Sequence, residues 1–144
     1  LATCTVWLAI DDANVENGCL RFIRGSHKEK KLKNHNINDN KNLTLNQELD
    51  ESEYNEKDAV NLILKRGQIS LHDVYLVHGS EANNSSMARR AITMRFMPTS
   101  SVFDHQMVKD KNLFSKLNAS KYQDRKIYHM RGRDISGKNK LTYI

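Results

Sequence analysis

Residues 71–96 read LHDVYLVHGSEANNSSMARRAITMRF. Three side chains in this stretch have types that could do chemistry together. His78 closes an apolar run, Ser80 follows two positions on, and Arg89 comes eleven residues after the histidine. A neutral imidazole is a good ligand for a divalent metal. A guanidinium is costly to bury unless an anion meets it. Its fork matches a carboxylate in two parallel hydrogen bonds, with Ser80 as a further donor. Each residue alone is weak evidence. A lone strand histidine is more often a hydrogen-bonded core residue, and most arginines lie on surfaces. The combination, a metal ligand near a carboxylate receptor, is what needs positioning.

Strand signals surround these residues. β-Branched and aromatic residues predict strands over 3–10, 18–23, 59–64, 69–71, 75–78, 91–97 and 126–130. Asp11-Asp12, Gly25-Ser26, Arg66-Gly67, Pro98 and Gly132 punctuate them. Alternation puts Val74, Leu76, His78 and Ser80 on one face of one strand, and Arg89, Ala91, Thr93 and Arg95 on one face of another. The second set is charged at both ends and small in the middle, which suits a cavity better than a dry core. Many short strands with little helix predict a mainly β sandwich, jelly roll or barrel.

Residues 28–58 break this pattern. They run from a lysine cluster through Asn-rich sequence to an acidic stretch at 48–58. No helical period passes through them, although Leu43, Leu45 and Leu49 could pack a short helix. A loop this long is either functional or disordered. With no internal repeat, residues 1–144 read as a single domain carrying an insertion at 28–58.

The 144 residues suffice for one core. The apolar runs fall far short of a membrane span, and the first has no basic region before it, so neither a membrane partner nor a signal peptide is expected. The net charge of +6 comes from scattered lysines without interleaved aromatics, which argues for a solvated surface and against a nucleic-acid partner. Cys4 and Cys19 have no CxxC spacing and read as buried free thiols in a reducing, cytoplasmic setting. The chain starts at Leu1, and residues 1–10 already read as a buried strand. An N-terminal portion of the domain is therefore expected to be missing.

A metal beside a carboxylate-binding arginine describes the site of a 2-oxoglutarate-dependent oxygenase. The ordered pieces Gly67-Gln68-Ile69-Ser70-Leu71-His72, His78-Gly79-Ser80, Asn83 and Arg89-Arg90-Ala91 resemble the phytanoyl-CoA dioxygenase family. So do Val6-Trp7-Leu8-Ala9-Ile10-Asp11-Asp12, Glu16-Asn17-Gly18-Cys19-Leu20, Arg24-Gly25-Ser26-His27-Lys28 and Arg131-Gly132-Arg133-Asp134. The resemblance implies a double-stranded β-helix (a jelly roll, or cupin-like barrel) holding Fe(II) between a His-x-Asp pair and a distal histidine. It implies 2-oxoglutarate as cosubstrate, O2 as oxidant, and hydroxylation of a small organic substrate. Carried over, His78 is the metal ligand and Arg89 the cosubstrate anchor. Ser80 supports the same carboxylate, and Trp7 lines the pocket or is a plain core tryptophan.

One departure matters. The family's His-x-Asp pair precedes the tryptophan strand, and only six residues stand before Trp7. The pair would fall before Leu1, so the chain alone is expected not to turn over, and none of its residues is assigned a catalytic role beyond binding. His27 and Glu29 form an in-chain His-x-carboxylate competitor, which the resemblance puts at a turn. His72 and Asp73 are adjacent and cannot share a strand face. Two alternatives stay open: a halogenase of the same fold, in which a small residue replaces the carboxylate ligand, and a non-catalytic carboxylate-binding β-barrel.

Overall fold

The computed structural model describes residues 3–41, 47–105 and 124–143, and of Gln47 only the backbone. Contacts divide the chain into two compact units, Leu1–Phe96 and Met97–Ile144. The first contains β1 (Cys4–Ala9), β2 (Leu20–Ile23), β3 (His35–Ile37), β4 (Gln47–Leu49), β5 (Ala59–Leu62), β6 (Ile69–His72), β7 (His78–Ser80) and β8 (Ala91–Phe96). The second contains β9 (Ile127–His129) and β10 (Leu141–Tyr143).

Two antiparallel three-stranded sheets organise the first unit, in the orders β6-β1-β8 and β5-β2-β7. In β1, alternation is strict: Thr5, Trp7 and Ala9 are buried while Cys4, Val6 and Leu8 are half-buried. Cross-strand register puts Ser70 and Thr93 beside Trp7, His72 and Arg95 beside Thr5, and Ala91 beside Ala9. Directly opposed residues point the same way, so these side chains share the inward face. The opposite face carries Ile69, Leu71, Ile92, Met94 and Phe96, all exposed. Trp7, Ala9, Ala13, Cys19 and Leu64 form the core, with Leu20, Leu62 and Ala91 packed on it. Trp7 is its only large aromatic ring, so truncating it to Ala would cost about 3–5 kcal/mol.

The expected strand at 75–78 is a turn as far as Val77. Asp73 Oδ1 accepts hydrogen bonds from the amides of Tyr75 (2.9 Å) and Leu76 (3.1 Å), which closes a local turn where β-branched residues alone predict extension. The amide of Val77 donates to Ser26 Oγ at 2.9 Å and its carbonyl accepts from Ile23 at 3.0 Å. The strand starts at His78, so Val74 and Leu76 do not share a strand face with His78 and Ser80.

Within 28–58 the described residues are ordered around a small antiparallel hairpin, β3 with β4, in which His35 faces Leu49. Lys33 ties it together, with Glu29 at 2.6 Å and Glu53 at 3.7 Å. Leu43 and Leu45 lie outside the described residues, and Leu49 is in β4 rather than a helix.

In the second unit β9 and β10 pair in parallel, Leu141 beside Ile127. The Arg131-Gly132-Arg133-Asp134 segment is a turn: Gly132 has φ 84°, and Asp134 accepts from Ser136 Oγ (2.6 Å) and Asn139 Nδ2 (3.1 Å). Among the described residues no helix is long and apolar enough to cross a membrane.

Candidate functional site

Arg89 and Arg90 enter β8 side by side, and the extended backbone sends them to opposite sides. Arg90 turns outward to Asp11. Its Nε and Nη2 donate to the two carboxylate oxygens at 2.9 and 2.8 Å, and its amide donates to Oδ2 at 2.8 Å. These bonds hold the Asp11 carboxyl far below the usual carboxylate range. Arg89 turns inward. Its Cζ lies 5.9 Å from the centroid of the Trp7 ring, within cation–π range. Its Nε is buried and has no hydrogen-bond partner among the described residues. A buried donor of a charged group left unmatched costs about 1–3 kcal/mol or more. The buried Nε of Arg89 leaves room in its hydrogen bonding for an anionic acceptor.

His78 opens β7, opposite Phe22 of β2. Its Nδ1 stands 2.6 Å from the carbonyl oxygen of Leu76. A carbonyl only accepts, so Nδ1 is the donor, and in the neutral ring Nε2 carries the lone pair. That is the tautomer a metal-binding imidazole needs, with its orientation fixed from behind. The Leu76 carbonyl is available because residues 73–77 turn.

The His78 ring packs against His72, centroids 4.7 Å apart and planes at 53°. His72 lies on β6 beside Thr5 and is half-buried. Burial, first of all, pushes its basicity down, and the neighbouring His78 and Arg95 add to this. Sequence reasoning set His72 aside because it adjoins Asp73. The same alternation that separates the two sends His72 inward, a signal that was present. Asp73 faces away, paired with Lys30 at 2.9 Å.

Ser80 shares β7 with His78 and is exposed; its hydroxyl makes no hydrogen bond among the described residues. The His27 competitor does not assemble. Its partner Glu29 is engaged by Lys33. Among the described residues no group of three His, Cys, Asp or Glu side chains could hold a metal. The candidate site therefore consists of Arg89 over Trp7 and of His72 on the inward face of the β6-β1-β8 sheet, with the exposed His78 of β7 packed against His72.

The profile of the family described as Phytanoyl-CoA dioxygenase (PhyH) matches residues 2–91, which contain every one of these side chains. The chain belongs to the phytanoyl-CoA dioxygenase family. Among its relatives, the phytanoyl-CoA dioxygenase domain-containing protein 1 homolog of Dictyostelium discoideum is 36% identical over 99 residues, covering 67% of this chain and 35% of the relative. The homolog of that name in Caenorhabditis elegans is 36% identical over 96 residues, 64% of this chain and 33% of the relative. The chain thus spans about a third of the length of the curated relatives it matches.

Solved structures agree on architecture. EvdO2 from Micromonospora carbonacea var. aurantiaca, complexed with 2-oxoglutarate, superposes with a TM-score of 0.56 at 27% identity, over 65% of this chain and 37% of that one. The non-heme monooxygenase ThoJ, in its apo form, gives 0.51 at 25%, over 67% and 33%. The phytanoyl-CoA dioxygenase fold of this chain is mainly β, of the double-stranded β-helix type. Its motif residues divide by task. Asp11 and Asn17 hold backbone together, while Trp7 and Arg89 share the inward face and His78 meets His72 from β7.

Proposed function

We propose that this protein is an Fe(II)- and 2-oxoglutarate-dependent dioxygenase that hydroxylates a small organic substrate. The observation that carries this reading is Arg89, whose buried Nε lacks a partner while its guanidinium spreads over Trp7. A dicarboxylate cosubstrate supplies the missing acceptor. Nε and one terminal nitrogen would hold its distal carboxylate bidentately, with Ser80 as an added hydroxyl donor and the indole face as the pocket wall. Trp7 also excludes water there, which strengthens the ion pair.

The donor chemistry of His78 fits iron: Nε2 is free to ligate while Nδ1–H is held by Leu76. Among the described residues no three-donor group stands around it. When bound, the iron supplies the oxygen chemistry that couples 2-oxoglutarate decarboxylation to hydroxylation. The task of these residues is to place the cosubstrate and keep the imidazole aimed. The free thiols Cys4 and Cys19 support a reducing, cytoplasmic setting.

The test is succinate release by the full-length protein supplied with Fe(II), 2-oxoglutarate and O2. Release that disappears in both His78→Ala and Arg89→Ala supports the reading. Arg89-dependent binding of 2-oxoglutarate with no succinate formed under any condition would make the protein a carboxylate-binding module instead.

A further inference from the structure

Arg89 is not the only cation on the inward face. Six residues along β8, about 20 Å of strand, Arg95 stands beside Thr5, and His72 stands on the other flank of Thr5. His72 and Arg95 are thus two strand spacings apart, about 9.5 Å between backbones, a gap a long guanidinium side chain spans in large part. The His72 ring meets the proposed metal ligand His78 at 4.7 Å. Arg95 therefore stands level with the imidazoles, at the opposite end of β8 from Arg89.

The electrostatics of this face are one-sided. The residues the register aligns along it include no acid. Two other arginines next to these sheets are matched, Arg21 by Glu56 and Glu81 and Arg90 by Asp11. Arg95 has no ion pair or hydrogen bond among the described residues and is exposed. In the proposed oxygenase Arg89 takes up the distal carboxylate of 2-oxoglutarate, which leaves Arg95 as a second cation with nothing to neutralise it. Between the two arginines stand only Ala91 and Thr93, too small to fill the space.

We infer that Arg95 is a specificity-determining residue, binding an anionic group, carboxylate or phosphate, on the primary substrate. The inference rests on the oxygenase reading of the site. An anion held by Arg95 leaves the rest of the molecule to lie over Thr5 and Thr93, toward the imidazole pair where the reacting carbon must come. A cation on a face with no acid aligned beside it also raises the local concentration of anionic ligands.

The experiment uses full-length protein saturated with 2-oxoglutarate, so that Arg89 is engaged. Octanoate, octyl phosphate and neutral octanamide, matched in apolar chain, are titrated calorimetrically. At least one anion should bind about tenfold or more tightly than the amide, the gain of a charge-assisted pair. Arg95→Ala and Arg95→Gln should erase that preference, Arg95→Lys should keep part of it, and all three should leave 2-oxoglutarate affinity within about threefold. Preference for octanoate or for octyl phosphate identifies the anion. An amide that binds wild type as well as both anions do, or a preference that survives Arg95→Ala, overturns the inference. Failure of the oxygenase reading looks different: Arg89→Ala then leaves 2-oxoglutarate affinity unchanged.

Discussion

Asp11 and Arg90 are locked by two side-chain bonds and a backbone bond on the outer side of β8, while Arg89, one residue earlier, lies on the inner side. Backbone alternation alone sends the two to opposite sides, Arg89 to the inner face above Trp7. The two arginines, adjacent and chemically identical, should therefore respond differently to the same change.

Arg89→Ala removes the charged partner of the cosubstrate's distal carboxylate. A hydrogen bond to a charged group contributes about 1.5–3 kcal/mol, so apparent 2-oxoglutarate affinity should weaken about tenfold to a hundredfold. Arg90→Ala, whose side chain is 73% exposed, should change it less than about threefold. Titration of succinate release in the full-length protein compares them. Equal effects would show that the side assigned to each arginine is wrong.

How far the sequence reveals this site depends on how local its determinants are. The burial of Thr5, Trp7 and Ala9 and the split between Arg89 and Arg90 follow from a period of two, which any stretch of strand displays. The turn at 73–77 does not, because Val74, Tyr75 and Val77 are strong strand formers. What overrides them is the Asp73 carboxylate together with Ser26, a hydroxyl 51 residues away. The β3–β4 hairpin lacks apolar alternation, and β10 exists only through a parallel partner in β9. Asp11 reads locally as a turn residue; its bond to Arg90 spans 79 residues.

His78→Ala should abolish metal binding at this imidazole. The informative partner variant is Leu76→Pro, which leaves the Leu76 carbonyl in place but removes the amide that Asp73 holds. Loosening the turn frees the carbonyl that orients His78, so metal affinity should fall about tenfold to a hundredfold, as for other lost outer-sphere partners. Co(II) titration of the full-length protein, followed by its visible bands, reads both. Unchanged Co(II) affinity in His78→Ala would remove the residue from the metal site.

Asp11 also predicts an acid limb. Its carboxyl titrates below its ordinary value of 3.8, chiefly through the Arg90 side-chain bonds. A depressed folded-state value means stability fully present above the ordinary value and lost as pH falls through the folded one. Asp11→Asn should therefore be less stable than wild type at neutral pH, and the difference should shrink as pH drops below about 4. Urea midpoints across that range test this; a gap that widens toward acid reverses the sign.

Gly18 follows the Asn14–Asn17 turn with φ +75°, and a Cβ there would come 2.6 Å from the backbone oxygen of Glu81. Gly25 has a similar φ of +79° but open space around it. Gly25→Ala should cost only the left-handed conformation, about 1–2 kcal/mol. Gly18→Ala must also push the chain leaving β7, so it should cost more and lower the melting temperature further. Equal melting temperatures would mean that the close approach to Glu81 carries no weight.

The last prediction concerns Asn17, 1% exposed and the most deeply buried polar side chain described. Its Oδ1 accepts from the amide of Asn14 at 2.8 Å, and its Nδ2 donates to the carbonyls of Asp12 at 2.8 Å and Ala88 at 3.4 Å. The second of these reaches the residue immediately before Arg89, so Asn17 ties the end of β1 to the start of the arginine strand. Asn17→Ala leaves one donor and two acceptors without their partner, and should cost about 2–4 kcal/mol at about 1–3 for each group left unsatisfied, partly relieved where water reaches the exposed Asp12 and Ala88. Asn17→Asp keeps the acceptor but sets a carboxylate against two carbonyl oxygens, so at neutral pH it should be at least as damaging. Because Ala88 is released, both variants should also weaken 2-oxoglutarate binding in the molecules that remain folded, by less than Arg89→Ala does. Measuring denaturant midpoints alongside 2-oxoglutarate affinity well below the transition separates the two effects. A destabilised Asn17→Ala that binds 2-oxoglutarate like wild type would confine Asn17 to holding its own turn.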